Sequence, residues 1–326
     1  MYINYRSISN LNETLIKNLH KFPHDVSLIV GIPRSGMLPA NLLALYLNKP
    51  FTDIDSFIEG RVYHCGERGT FIHKNETEKV LIVDDSIASG NALNKAKEKL
   101  RPFLIAHPNI IILYAAVFAT KNTDNMVDVF CENIEGNRIF QWNLFHHAGY
   151  IPLSIFDIDG VLCPNPPIDD DGPLYRDYIA NAPVLYKPSL RIDKLVSCRL
   201  EKYRTLTEDW LARNGIEYNE LHMLPFNTKE ERIQWGKHGE YKGIIYKKSN
   251  DILFIESSLQ EALDIFKVSK KPVFCIENFK MINDESYMNQ VKSTLYHSFP
   301  FHKLKCLIKK LIGEKAFLNL KNNTKS

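Results

Sequence analysis

The 326-residue sequence has little of several things, and each shortage excludes a class of protein. Its 6 cysteines (Cys65, Cys131, Cys163, Cys198, Cys275, Cys306) are scattered, with no Cys-x-x-Cys pair. That spacing argues against a disulfide scaffold and against a cysteine zinc site, and fits a reduced, cytoplasmic chain. No apolar run exceeds the ten residues Ile110–Ala119, too short to span a bilayer. The first dozen residues lack the apolar core of a signal peptide. Charge of either sign is nearly balanced, 41 Lys+Arg against 38 Asp+Glu, for a net +3. Residues Phe301–Ser326 hold seven lysines and one acid, 7 − 1 = +6, so the remainder carries 3 − 6 = −3. A slightly acidic body is a poor partner for nucleic acid, and none is expected.

What is present is an ordinary folded composition, 44% apolar and 24% charged, long enough for about two domains. From Val26 to Thr120, short apolar runs (Val26–Val30, Val80–Val83, Ile110–Ala119) alternate with helical patterns (Leu38–Leu47, Ala92–Leu100). A second alternation begins near Tyr150. Its strands are predicted at Leu153–Phe156, Lys194–Val196, Ile252–Ile255 and Val273–Ile276, and its helices at Thr207–Asn214 and Gln260–Val268. Alternating strands and helices predict parallel, doubly wound sheets with ligands at the carboxyl ends of the strands. The expected layout is an α/β chain of two doubly wound domains, 1–150 and 151–290, with a basic amphipathic tail over 291–326.

Within the first domain, VLIVDDSIASGNAL (Val80–Leu93) reads as a buried strand ending in Asp84-Asp85, then a small-residue loop opening a helix. Helix-start N–H groups favour a phosphate. Two adjacent carboxylates can accept hydrogen bonds from a ribose diol, or serve only as a solvated turn and helix cap. The segment resembles the phosphoribosyl pyrophosphate (PRPP) motif of the type I phosphoribosyltransferases. The resemblance implies that Asp84 and Asp85 hold the ribose hydroxyls and that Ala88, Ser89, Gly90, Asn91 and Ala92 hold the 5′-phosphate. Ala92 stands where that family usually has threonine. Upstream, LIVGIPRSGMLPA (Leu28–Ala40) resembles the family's pyrophosphate loop, implying Arg34, Ser35 and Gly36 as its contacts. The polar stretch Asp53–Glu78, with Arg61 and Arg68, lies where the family has a mobile catalytic loop or is a solvated surface loop.

In the second domain, SIFDIDGVL (Ser154–Leu162) places Asp157 at a strand end, Asp159 two residues on, and Gly160 at the turn. A carboxylate there can attack phosphorus, with the second acid moving the proton. The string resembles the first motif of the haloacid dehalogenase-like phosphatases. The resemblance implies catalytic roles for Asp157, Asp159, Ser197 and Lys242, with Lys247 and Lys248 as alternatives for the lysine. It also implies Mg²⁺ held by Asp157, Asp159 and Glu256, with Asp251 or Glu261 as alternatives for the second acid, because Glu256-Ser257-Ser258 stands where the family usually has two. The insert carrying Asp169-Asp170-Asp171 is short, so the Rossmannoid fold is expected to carry a small cap. Arg199 and Arg204 read as substrate binders or as a salt-bridged helix start.

A transferase that leaves a 5-phosphate, joined to a phosphatase that removes one, resembles the two-domain enzymes that install ribofuranose in bacterial surface polysaccharides such as O antigen. The expected function is transfer of 5-phosphoribosyl from PRPP to a saccharide acceptor on a lipid-linked glycan, with release of pyrophosphate, followed by dephosphorylation to ribofuranose. Trp142, Phe145, His146 and His147 are expected near the acceptor, with His146 or His147 as its base. The alternatives are a nucleobase phosphoribosyltransferase with an unrelated phosphatase, or a PRPP-sensing module with a decayed phosphatase domain. The tail's lysines, with Leu304, Leu307, Ile308, Leu311 and Ile312 at helical spacing, predict peripheral contact with the inner face of the cytoplasmic membrane, or a helix packed on the phosphatase.

Overall fold

In the computed structural model the described residues are 2–63, 78–167, 171–284 and 287. Chain contacts divide them into one unit over Tyr2–Leu144 and another from Phe145 onward. The expected tail, Arg68 and the acids Asp169 and Asp170 lie outside the described residues.

The first unit runs β1 (Asn4–Arg6), α1 (Ile8–Lys17), β2 (Leu28–Gly31), α2 (Met37–Leu47), β3 (Phe51–Asp53), α3 (Ile54–Ile58), β4 (Glu78–Ser86), α4 (Asn91–Ala106), β5 (Ile110–Ala119), β6 (Val129–Asn133) and β7 (Arg138–Phe140). Five strands form a parallel sheet in the order β3-β2-β4-β5-β6. The apolar runs are continuous because the sheet is covered on both faces. Ile29, Leu81, Val83, Ala115 and Val117 pack toward Leu11 and Leu15 of α1 and Leu43 of α2. Their neighbours Leu28, Val30, Val80, Ile82 and Ala116 pack toward Phe57 of α3 and Leu93 and Leu100 of α4. Odd and even strand residues thus feed two separate cores, which is the doubly wound arrangement. A second, two-stranded parallel sheet joins β1 to β7. Both strands are too short for a periodicity reading.

The second unit runs β8 (Ser154–Phe156), α5 (Pro173–Asn181), β9 (Ile192–Leu200), α6 (Arg204–Arg213), β10 (Tyr218–Leu224), α7 (Lys229–Trp235), α8 (His238–Lys248), β11 (Leu253–Glu256), α9 (Leu259–Ser269), β12 (Val273–Cys275) and β13 (Lys280–Ile282). Its six-stranded sheet has the order β10-β9-β8-β11-β12-β13, parallel except for the antiparallel edge strand β13. Ile155, Val196 and Phe254 pack against Tyr246 of α8 and Ile265 and Phe266 of α9. Between β8 and β9 the described residues hold one helix, α5, which packs through Tyr175 and Ile179 against Leu200 and Leu224. Strands β8 and β11 are neighbours, so their carboxyl ends bring Asp157 and Glu256 to one edge.

None of the described helices is long and apolar enough to cross a membrane.

Candidate active sites at the two strand edges

In the first unit, the ends of β2 and β4 lie side by side, and the N–H of Ile32 donates to Val83 O at 3.0 Å. The Pro33-Arg34 peptide that follows β2 is cis. Gly36 sits where only a hydrogen fits. A Cβ there would lie 2.6 Å from Ile32 O, 2.8 Å from Val83 O and 3.0 Å from Asp84 Oδ1. This close approach delivers Ser35 to the strand end, where its hydroxyl donates to Asp85 Oδ1 at 2.8 Å. Arg34 is exposed at the loop tip.

Asp84 and Asp85 are each 5% exposed. Burial, with the Asp85 charge beside it, pushes the Asp84 carboxyl up to about 8. A solvated turn would do neither. Asp84 Oδ1 accepts from the N–H of Asp85 at 2.9 Å, and Asp85 Oδ2 accepts from the indole N–H of Trp142 at 2.7 Å. Beyond them, Ala88, Ser89, Asn91 and Ala92 are exposed around buried Gly90, whose φ of 75° places it in the left-handed region that glycine favours. Helix α4 starts at Asn91 without a side-chain cap from Gly90, and the Asn91 N–H donates to Ser89 Oγ of this loop at 3.4 Å. The structure therefore gathers Asp84 and Asp85, the Ala88–Ala92 loop and the Arg34-Ser35-Gly36 loop at one sheet edge.

The aromatic segment divides between the units. Trp142 belongs to the first. In the second, Phe145 stacks on Tyr186 at 4.7 Å between ring centres, and His147 meets Tyr150 edge-on at 4.6 Å. The His147 Nδ1 atom accepts from the Gly149 N–H at 3.1 Å, and burial holds its pKa below the usual histidine value. His147 thus has one nitrogen engaged locally.

In the second unit, a cavity of about 240 Å³ opens at the ends of β8 and β11, lined among others by Asp157, Asp159, Lys242 and Glu256. Gly160, at φ 78°, lets the turn after Asp159 press against Ser257, whose Cβ lies 2.4 Å from where a Cβ on Gly160 would stand. Lys242 projects from α8 and is 2% exposed. Its Nζ donates to Asp157 Oδ2 at 2.8 Å, Glu256 Oε2 at 2.7 Å and Glu261 Oε2 at 2.7 Å. Lys247 and Lys248 are exposed, so it is Lys242 that the fold brings to the acids. One ammonium cannot neutralise three carboxylates, two of them buried. Burial pushes the Asp157 carboxyl well above its usual range against the pull of Lys242. Burial also opposes the Lys242 charge, but Asp157 and Glu256 hold it well above the ordinary lysine range. Glu261 is held down at about 2 despite burial, by Lys242 and by His238, whose Nδ1 lies 3.6 Å away.

Three expected placements differ. Asp159 does not join Asp157 and Glu256, because the Arg199 guanidinium takes both its oxygens, Nε to Oδ2 at 3.0 Å and Nη2 to Oδ1 at 2.7 Å. Glu256 Oε1 is likewise engaged, accepting from the N–H groups of Ser257 and Ser258 at 2.8 and 3.1 Å. Among the described residues no group of three or more acidic, histidine or cysteine side chains is placed to hold a metal ion, so the expected magnesium triad does not fit as it stands. Ser197 is fully buried, and its Oγ accepts from the Arg199 N–H at 3.1 Å. Its neighbour Cys198, not Ser197, is on the cavity wall, because alternate residues of β9 face opposite ways. Arg199 is 1% exposed and bound to Asp159, so it does not reach for substrate. Arg204 pairs with Glu201 and Glu208 as a salt-bridged helix start.

His238 was not expected as a member of this site, and Glu261 enters it as a partner of Lys242 rather than as a metal ligand. Glu261 stands five residues beyond Glu256, on the first turn of α9, and only the packing of α8 on α9 turns it toward Lys242.

Comparison with known proteins bears on the first unit. Residues 4–148 match the family model of the phosphoribosyl transferase domain. Solved structures similar to the chain include the xanthine-guanine-hypoxanthine phosphoribosyltransferase of Helicobacter pylori (18% identity, TM-score 0.31, covering 44% of this chain and 93% of that one). A purine phosphoribosyltransferase from Pyrococcus horikoshii (20%, 0.31, 44% and 94%) and the orotate phosphoribosyltransferase of Aeropyrum pernix (19%, 0.27, 38% and 69%) are also similar. No curated protein matches the chain. The chain carries a type I phosphoribosyltransferase domain at its N-terminus. That domain implies PRPP as substrate and phosphoribosyl transfer as the reaction.

Proposed function

We propose that the chain is a bifunctional enzyme whose first unit transfers 5-phosphoribosyl from PRPP to a saccharide hydroxyl, and whose second unit then removes the 5-phosphate. The observation that carries this reading is the buried Asp157–Lys242 pair at the carboxyl end of β8, lining a cavity, in a chain that also bears a phosphoribosyltransferase domain. In the first step the acceptor oxygen bonds to the anomeric carbon as the bond to pyrophosphate breaks, and the acceptor proton passes to a base. Asp84 and Asp85 hold the ribose diol, the loop Ala88–Ala92 and the start of α4 hold the 5′-phosphate, and Arg34 with the Ser35-Gly36 backbone faces the pyrophosphate. Asp84, with its proton retained to about pH 8, donates to one hydroxyl while Asp85 accepts from the other.

In the second step an Asp157 oxygen bonds to phosphorus as the bond from phosphorus to the ester oxygen breaks, and that oxygen takes a proton from solvent water, giving a ribofuranosyl product. Water then cleaves the aspartyl phosphate, regenerating Asp157 and inorganic phosphate. Lys242 offsets charge on the nucleophile and on the phosphoryl oxygens. We assign the saccharide acceptor to a lipid-linked glycan, the substrate for which a transferred phosphate would be superfluous. Retaining the phosphate would instead suit nucleotide formation.

Incubating the protein with PRPP, Mg²⁺ and synthetic saccharide acceptors tests both steps. Wild type is expected to yield a ribosylated acceptor with one pyrophosphate and one phosphate released, and Asp157→Asn to accumulate the phosphoribosylated acceptor. Equal final products from the two proteins refute the sequential scheme. Product formation with purines or orotate but with no saccharide refutes the acceptor assignment.

A further inference from the structure

Asp85 is the one carboxylate of the diol pair whose two oxygens are both met by side-chain donors from elsewhere in the first unit. Ser35 comes from the loop after β2 and Trp142 from the 3₁₀ turn Gln141–His146 after β7. The indole is fixed from two directions. Its edge points at Asp85, and one face lies on Phe140 at 4.8 Å and 10°, which in turn stacks on core residue Phe118 at 5.4 Å and 18°. The turn that carries it is anchored to the chain start, since Gln141 Oε1 accepts from the Ile8 N–H at 2.9 Å and β7 pairs with β1. A hydrogen bond from a donor held this firmly to a 5%-exposed carboxylate orients that carboxylate. A carboxylate has about four lone-pair sites; Ser35 and Trp142, with the neighbouring Asp84 carboxyl, occupy part of them and the rest stay open.

We infer that Trp142 is a positioning residue of the donor site, its indole N–H aligning the Asp85 carboxylate so that the open lone pairs face the ribose diol. This rests on the assignment of Asp85 to the diol. It gives the short β1–β7 sheet and its aromatic column a purpose that packing alone does not require. It also separates Trp142 from an acceptor platform: its N–H serves the sugar that is transferred, whatever the acceptor is.

The test is PRPP affinity of the full chain, measured by equilibrium dialysis with labelled PRPP and Mg²⁺, with no acceptor present. Trp142→Phe keeps the ring stack and removes only the N–H. It is expected to weaken PRPP binding about tenfold, the effect of losing one hydrogen bond to a charged group, with a thermal midpoint close to that of wild type. In the Asp85→Asn background the same change is expected to alter affinity less than twofold, because the group through which Trp142 acts is gone. A Trp142→Phe protein that binds PRPP within twofold of wild type overturns the inference. So does an equal loss in both backgrounds, which marks a structural role. Should Trp142→Phe fold poorly, Ser35→Ala removes the other donor to Asp85 and is expected to weaken PRPP binding, and to do so less in the Asp85→Asn background. A Ser35→Ala protein with unchanged affinity then counts against the alignment. Wild-type protein that fails to bind PRPP at all refutes the donor-site assignment itself, a result distinct from either of these.

Discussion

Replacing Lys242 by methionine removes the cation that Asp157, Glu256 and Glu261 share, while nearly preserving side-chain volume. Three oxygens lie 2.7–2.8 Å from Nζ in the folded protein. The side chains of Asp157 and Glu256 are 7% and 1% exposed, so water cannot take the place of the ammonium. Breaking a buried ion pair from one side costs about 3–5 kcal/mol. For a unit of this size each kcal/mol moves the midpoint by about 2–4 °C, which places the loss at about 6–20 °C. The assay is hydrogen-exchange protection of the β8 and β11 amides under native conditions, which follows this unit alone. Two controls separate electrostatics from packing. Adding Glu256→Gln to Lys242→Met is expected to recover part of the loss, and lowering the pH to about 4 is expected to shrink it as the carboxylates protonate. A loss below about 1 kcal/mol, or one that pH and Glu256→Gln leave unchanged, would refute the argument that Lys242 is what allows these acids to be buried together.

Two further outcomes follow from the first unit. Folded Asp84 keeps its proton up to about pH 8, whereas the unfolded chain releases it near 4. Between those values the folded state binds more protons, so stability of the ligand-free unit is expected to fall as pH rises, by up to about 1.4 kcal/mol per pH unit. Asp84→Asn should flatten that slope in urea titrations at pH 5, 6 and 7, and an unchanged slope sinks the assignment. Gly36→Ala places a methyl against two backbone carbonyls that cannot swing away, so the Arg34–Gly36 loop must move off β4. It is expected to abolish measurable PRPP binding, and binding within threefold of wild type would show that the loop is free to adjust.

The strands that carry chemistry were legible because buried parallel strands are uninterrupted apolar runs. The run Ile110–Ala119 is β5 residue for residue, and Val80–Val83 lies inside β4. Ends were less legible. Strand β9 extends four residues past the Lys194–Val196 run, since Ser197 and Arg199 are buried by partners rather than by apolarity. Positions in the sequence told which acids stand at strand ends, but not which cation each would meet. Arg199 and Asp159 are 40 residues apart, and nothing local distinguishes an arginine that clamps an acid from one that awaits a substrate. The same holds for Trp142, whose aromatic character suggested a sugar platform and whose N–H, a single atom at one edge, turned out to face Asp85. Helix α8 has almost no amphipathic signal because Lys242 and Gly243 occupy its inward positions, which a hydrophobic pattern reads as surface.

The strand order β10-β9-β8-β11 sets a schedule for the growing chain. Strand β8 is made first of these four and ends up in the middle, and its Asp157 meets Lys242 only after 85 more residues have been added. At a synthesis rate of about 5–20 residues per second, Asp157 emerges about 4–17 s before its cation. Until then β8 cannot be sealed on its β11 side without entombing an unpaired carboxylate. The first unit's own wait, 57 residues from Asp85 to Trp142, ends before β8 is made. The transferase half is therefore expected to mature on the ribosome while the second half is still held open by its own nucleophile.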